Sequence, residues 1–122
     1  MIKIKICGIR RLAEAQVAAR AGADFIGLVF VPGRRRRLEL AQARAIVSGL
    51  RDSVAEPPQV VGLFAGQPLE EVNHTIETCG LDLAQLCGQE SHESLDYCRG
   101  VKAQVIKVLH VSTGSAAVEN LE

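Results

Sequence analysis

The chain is 122 residues long, 48% apolar and formally neutral, with 14 basic and 14 acidic side chains. That length supports one domain at most, and the apolar share excludes a disordered chain. Apolar runs such as 25–32 fall far short of the roughly 18 residues a membrane span needs, and the charge in Met-Ile-Lys-Ile-Lys-Ile interrupts any secretory stretch, so a soluble, unsecreted chain is expected.

The neutral total hides a division. Residues 1–51 hold 11 basic and 3 acidic groups and residues 52–122 hold 3 and 11, a split of +8 against −8. Either the front half holds an anion or one fold carries two complementary surfaces. Aromatic content of 3%, with no Trp, argues against a nucleic-acid platform of stacked rings. Cys7, Cys79, Cys87 and Cys98 contain no C-x-x-C pair, which favours free thiols in a reducing compartment over a zinc site or a disulfide scaffold. His74, His92 and His110 are too scattered to suggest metal ligation.

In chain order, β-rich runs predict strands over 2–7, 25–30, 60–64, 81–86 and 105–111. Their starts lie 23, 35, 21 and 24 residues apart, enough for a strand, a helix and two loops each. In the first strand Ile2, Ile4 and Ile6 are expected to pack under helices, leaving Lys5 and Cys7 together on the opposite face. Leu12, Ala15, Ala18, Ala19 and Gly22 recur at helical offsets, and Gly22, Gly80 and Gly100 fall where helices should stop. The second, third and fifth strands are nearly continuous in Val, Ile, Leu and Phe, as in a parallel sheet covered on both faces. Between the second and third strands, Pro32-Gly33 leads into four arginines, 34–37, followed by a helix over 40–50 and a closing Glu56-Pro57-Pro58. The repeated βα pattern implies parallel connections.

Sites in parallel α/β folds lie at the carboxyl ends of strands. Here those ends offer Cys7-Gly8-Ile9, 30–37, Phe64-Ala65-Gly66-Gln67, Gln85-Leu86-Cys87-Gly88 and 107–110, a set that suits an anionic small molecule. Taken singly, a strand-end cysteine is more often a small hydrophobe than a catalyst, and an arginine run is more often a solvated loop.

The combination of Lys5-Ile6-Cys7-Gly8-Ile9, then 22–30 (GADFIGLVF), Val60-Val61-Gly62-Leu63-Phe64, Gln85-Leu86 with Gly88, and Val105-Ile106-Lys107 resembles phosphoribosylanthranilate isomerase of tryptophan biosynthesis across essentially the whole chain. The resemblance implies a parallel (βα)8 barrel, of which 1–122 would be one incomplete domain holding about the first five βα units. The implied reaction is the Amadori rearrangement of N-(5-phosphoribosyl)anthranilate to 1-(2-carboxyphenylamino)-1-deoxyribulose 5-phosphate, in the cytoplasm. Cys7 matches the family's general base, which takes the proton from C2 of the sugar; a thiol acts so when its anion is stabilised, and Lys5 is placed to help. Arg36 matches the anion-binding arginine after the second strand, and Gln85 lies in a substrate-binding motif. The usual Ser-Pro before that arginine is here Arg34-Arg35, which leaves open which of 34–37 binds substrate. The usual histidine after Gln85-Leu86 is Cys87, and a usual asparagine after the third strand is Gly66.

The resemblance also places the general acid, an aspartate ending a sixth strand, and the phosphate site after strands seven and eight beyond Glu122. No metal or redox cofactor is implied, nor a nucleic-acid or membrane partner; the partner is the small phosphosugar-anthranilate substrate. Residues 1–122 alone are expected to be inactive and to self-associate through exposed strand edges. Two other readings stay open: a non-catalytic truncated remnant or assembly module, and a five-stranded flavodoxin-like binding domain with strand order 2-1-3-4-5.

Overall fold

Aliphatic runs at this spacing fold as alternating strands and helices in a computed structural model that describes residues 1–89 and 91–111. In chain order these are β1 (Lys5–Ile6), α1 (Leu12–Arg20), β2 (Phe25–Val29), α2 (Leu40–Ser53), β3 (Gln59–Phe64), α3 (Leu69–Cys79), β4 (Leu83–Leu86), α4 (Leu95–Gly100) and β5 (Gln104–Lys107). Every strand pairing is parallel, and the sheet order is β1-β2-β3-β4-β5. The consecutive order overturns the flavodoxin-like alternative, whose sheet reverses direction after its first strand.

The core explains why the helices share one face. Ile26, Leu28, Val60, Phe64, Ala84 and Leu86 alternate along their strands and point to the same side. There they pack with Ala15 and Ala18 of α1, with Ala43, Ile46, Val47 and Leu50 of α2, and with Val72 and Ile76 of α3 in one buried cluster. The α2 residues follow the i, i+3, i+4, i+7 stripe of an amphipathic helix. Phe30 and Phe64 stack within this layer, ring centroids 5.4 Å apart. A parallel sheet in sequential order with helices on one side is the βα arrangement of a barrel wall, and the opposite side becomes its concave interior. Register puts Lys5, Phe25, Val29, Leu63, Gln85 and Ile106 on that interior side.

Helix ends follow local chemistry. Glu14 in the first turn of α1 accepts from the backbone N–H groups of Arg10 and Arg11 at 2.8 and 3.1 Å. The Arg10 bond is the main reason its carboxyl is held below the usual range. At the far end of α3, Gly80 takes φ 70° and donates to the Ile76 carbonyl, a left-handed stop open to glycine without strain.

Three expectations change. The strand over 2–7 contracts to Lys5–Ile6, and Ile2, Ile4 and Ile6 are 87%, 51% and 42% exposed instead of packed under helices. β1 is an edge that pairs with β2 alone, and α1 directs its buried alanines toward the shared cluster and not across that edge. The strand over 105–111 is Gln104–Lys107 and alternates between exposed and half-buried residues, as an edge does. The helix over 40–50 runs on to Ser53. A fifth helix expected before Glu122 lies outside the described residues. Among the described residues, no helix is long and apolar enough to cross a membrane.

Candidate active site

β1 ends by delivering Cys7 to the rim of the sheet, and the turn after it is fastened to β2. Gly8 adopts φ 76°, and the N–H groups of Gly8 and Ile9 both donate to the Gly27 carbonyl, at 3.0 and 3.1 Å. Gly27 faces Cys7 so closely that a Cβ there would stand 2.7 Å from the Cys7 sulfur. Only glycine on β2 leaves room for the thiol in this position, and Cys7 itself is exposed.

The arginine run is folded back over the end of β2. Gly33 turns the chain at φ 79°, Arg34 N–H donates to Val31 O, Arg37 N–H to Arg34 O and Leu38 N–H to Val29 O. This brings Arg36 across to the first loop, where its Nη1 donates to the Gly8 carbonyl at 3.1 Å. Cys7 and Arg36, 29 positions apart in sequence, are thus neighbours. Arg37 pairs instead with Glu39 at 3.6 Å.

Gln85 sits half-buried on the interior side of β4, where its amide oxygen accepts from the Lys5 ammonium. Its Nε2 lies 3.7 Å from the Cys87 sulfur. The expectation that Lys5 shares the face of Cys7 holds, but the Lys5 ammonium is engaged with Gln85.

Two cavities open at this rim. One, about 540 Å³, is lined by residues including Ile6, Cys7, Ala13, Val17 and Arg36. The other, about 320 Å³, lies between Val29, Leu63, Cys87 and the side chains of Arg34, Arg35 and Arg36. The first runs on along α1 past Ala18 and Ala21, and Arg36 borders both, with the Cys7 thiol lining the one and the Arg34 and Arg35 side chains the other. A thiolate there is a base or nucleophile, and planar guanidinium groups suit carboxylate or phosphate.

Sequence reasoning missed the device that shapes the other side of the rim. Glu93, whose side chain is fully buried, accepts from Gly66 N–H at 2.9 Å and pairs with Lys107 Nζ at 3.0 Å. Lys107 also donates to the carbonyls of Gly88 and Val108, each at 2.8 Å. One ion pair therefore ties together the ends of β3, β4 and β5. Lys107 stood out as a strand-end residue, but nothing local marks Glu93, which follows β4 in an irregular loop. Gly66 has φ 68°, the left-handed region that asparagine enters more readily than most side chains, which accounts for glycine at a position where the family usually carries asparagine.

The family model for N-(5'-phosphoribosyl)anthranilate (PRA) isomerase matches residues 4–121. The isomerase of Dehalococcoides mccartyi is 44% identical over 96% of this chain and 51% of its own length, and that of Pelobacter propionicus 43% identical over 95% and 52%. The solved isomerase of Thermus thermophilus matches with a TM-score of 0.79 and 36% identity, covering 93% of this chain and 54% of that one. A solved isomerase in complex with reduced 1-(o-carboxyphenylamino)-1-deoxyribulose 5-phosphate matches with a TM-score of 0.86 and 29% identity, covering 99% and 59%. The chain spans about half the length of the curated relatives it matches, and its five described strands and four described helices correspond to part of their (βα)8 barrel. By sequence and by fold, this chain belongs to the N-(5'-phosphoribosyl)anthranilate isomerase family.

Proposed function

We propose that residues 1–122 form one incomplete (βα)8-barrel domain and supply the basic and anion-binding side of a phosphoribosylanthranilate isomerase acting in the cytoplasm. The observation that carries this reading is the meeting of Cys7, Gly27 and Arg36: the thiol is admitted by the missing Cβ of Gly27, and the guanidinium is fastened beside it by Gly8. In the Amadori rearrangement, the Cys7 thiolate removes the proton from C2 of the sugar. The C–H electron pair becomes the C1–C2 double bond of the enolamine as the C=N π pair of the ring-opened, protonated Schiff base returns to nitrogen, and the enolamine tautomerises to the ketone of the product. Arg36 pairs with a substrate anion, and Gln85, oriented by Lys5, hydrogen-bonds the substrate on the interior floor. The acid that protonates the ring oxygen, and the loops that hold the phosphate, belong in this reading to further βα units.

The test joins residues 1–122 to the carboxyl-terminal half of the Thermus relative and measures isomerisation by product fluorescence. Turnover is expected, with Cys7→Ser lowering kcat by orders of magnitude and leaving KM nearly unchanged, because a hydroxyl is a poor base near neutral pH. An unchanged kcat in Cys7→Ser removes Cys7 from the base role. Residues 1–122 alone are expected to show no turnover and to associate through the β1 and β5 edges, where Ile4, Ile6 and Ile106 are exposed. A monomer in sedimentation equilibrium, or turnover by that monomer, refutes this part.

A further inference from the structure

The turn after β3 holds a polar side chain that the reaction does not use and that the core does not require. Gln67 is buried, and both ends of its amide are engaged: Nε2 donates to the Phe30 carbonyl at 3.0 Å and Oε1 accepts from Ala65 N–H at 2.6 Å. A backbone carbonyl only accepts and a backbone N–H only donates, so one orientation of the amide satisfies both. The bridge joins the ends of β2 and β3 one residue past Val29, the last paired position of β2. Gln67 is itself held from the far side, where the Tyr97 hydroxyl donates to its carbonyl at 2.6 Å and Gly66 N–H beside it donates to Glu93.

The Phe30 carbonyl belongs to the peptide through which the chain leaves β2 for residues 31–38. The residues on either side of Phe30 fasten that loop, since Arg34 N–H donates to Val31 O and Leu38 N–H to Val29 O. A buried carbonyl without a partner is costly, so the Gln67 amide fixes the plane of this exit peptide. The direction in which the peptide sends the loop decides whether Arg36 reaches the Gly8 carbonyl beside Cys7. Gln67 lines neither rim cavity, so its influence on the site passes through the loop. We propose that Gln67 is a positioning residue: by holding the Phe30 carbonyl it sets the exit of the chain from β2 and, with it, the place of Arg36. Its effect on turnover rests on the isomerase reading, whereas its effect on the loop does not.

Amide hydrogen exchange of residues 1–122, followed by nuclear magnetic resonance, tests the loop. Gln67→Met keeps the length of the side chain and loses both bonds, and Gln67→Asn keeps an amide one methylene too short to span both groups. Both are expected to speed exchange at the Arg34, Arg37 and Leu38 amides by about tenfold or more, with a smaller change in α1, as local loosening does. Tyr97→Phe, which leaves the Gln67 amide in place, is expected to keep those loop amides within about twofold of wild type. No acceleration in the loop, equal acceleration of the loop and α1, or a Tyr97→Phe effect as large as that of Gln67→Met each overturns the assignment. In the joined barrel, Gln67→Met is expected to raise KM about tenfold with kcat within about twofold, and to add less than about twofold to KM once Arg36 is alanine. Effects of the two substitutions that multiply show that Gln67 does not act through Arg36 and defeat the inference alone. Absence of turnover with Gln67 and Arg36 both in place defeats the isomerase reading, and the exchange rates then decide the role of Gln67.

Discussion

Replacing Lys107 by methionine removes the one cation paired with Glu93 among the described residues, and the structure sets the size of the consequence. The Glu93 side chain is fully buried and that of Lys107 is 20% exposed, whereas the partners in the four other ion pairs of the described residues are all at least 35% exposed. Exposed pairs contribute about 0–1 kcal/mol each. Breaking a buried pair from one side costs about 3–5 kcal/mol, because the remaining charge is stranded away from water. After Lys107→Met the Glu93 carboxylate keeps one bond, from Gly66 N–H, and the Gly88 and Val108 carbonyls lose their shared donor. Against a domain stability of about 5–15 kcal/mol, the loss is a large share of the total. Urea unfolding followed by far-ultraviolet circular dichroism measures it, since the chain has no Trp to report by fluorescence. Adding Glu93→Gln to Lys107→Met removes the stranded charge and retains an acceptor for Gly66, so the double variant is expected to recover part of the loss. A cost below about 1 kcal/mol for Lys107→Met, the range of an exposed pair, would refute the reasoning and mean that Glu93 is solvated.

Other outcomes follow from single contacts. Gly27→Ala is expected to cost about 1–3 kcal/mol and to change the labelling rate of Cys7, since the new methyl would lie 2.7 Å from its sulfur and 3.3 Å from its Cα; unaltered labelling by a thiol reagent argues against that proximity. Cys7, exposed, is expected to react first with such a reagent and Cys79 last, because burial both shields the Cys79 thiol and pushes its pKa up; mass mapping of labelled peptides establishes the order. Tyr97, the only tyrosine, is pushed up to about 12, chiefly by burial and next by the Glu93 carboxylate, while its hydroxyl donates to Gln67 O at 2.6 Å. A raised folded-state pKa means stability present below the unfolded value near 10 and lost as pH climbs toward 12. Phenolate absorbance in the near ultraviolet is therefore expected to titrate about two units above free tyrosine, and a midpoint near 10 in the folded chain contradicts the burial.

Much of the fold was legible because βα repetition writes itself into periodicity. The i, i+3, i+4 stripe of Ala43, Ile46 and Val47 and the glycine stop at Gly80 needed no tertiary information. The edges were not legible, since Ile2, Ile4 and Ile6 alternate as a half-buried strand does whether or not anything covers them. Cys7 and Arg36 were marked by family motifs, and the cavity they share became visible only with the fold-back of 31–38. The Glu93–Lys107 pair was hidden for a different reason. A buried charge has the same letter as a solvated one, and its partner is fixed by where β4 and β5 end, not by spacing along the chain.

Curvature makes these strand ends one site. In a flat sheet, strands about 4.8 Å apart would put β1 and β4 about 14 Å from one another, and Lys5 and Gln85 also sit at different heights along their strands. Their side chains nevertheless meet, so the sheet curls toward its interior within these five strands, as twist and tilt require of a barrel wall. That same curl carries the end of β1 toward the end of β4. Cys7 lines one cavity at these strand ends and Cys87 the other, and Arg36 borders both. Lys5 thus acts on the site through shape: a long side chain reaching over the concavity to Gln85 ties the first strand to the fourth. Removing its ammonium in Lys5→Met is expected to relax that distance and weaken substrate affinity in the joined barrel, read as a raised KM, although Lys5 lines neither cavity. If affinity is unchanged in Lys5→Met, the curvature is set by the backbone alone, and the Lys5–Gln85 bond is its consequence.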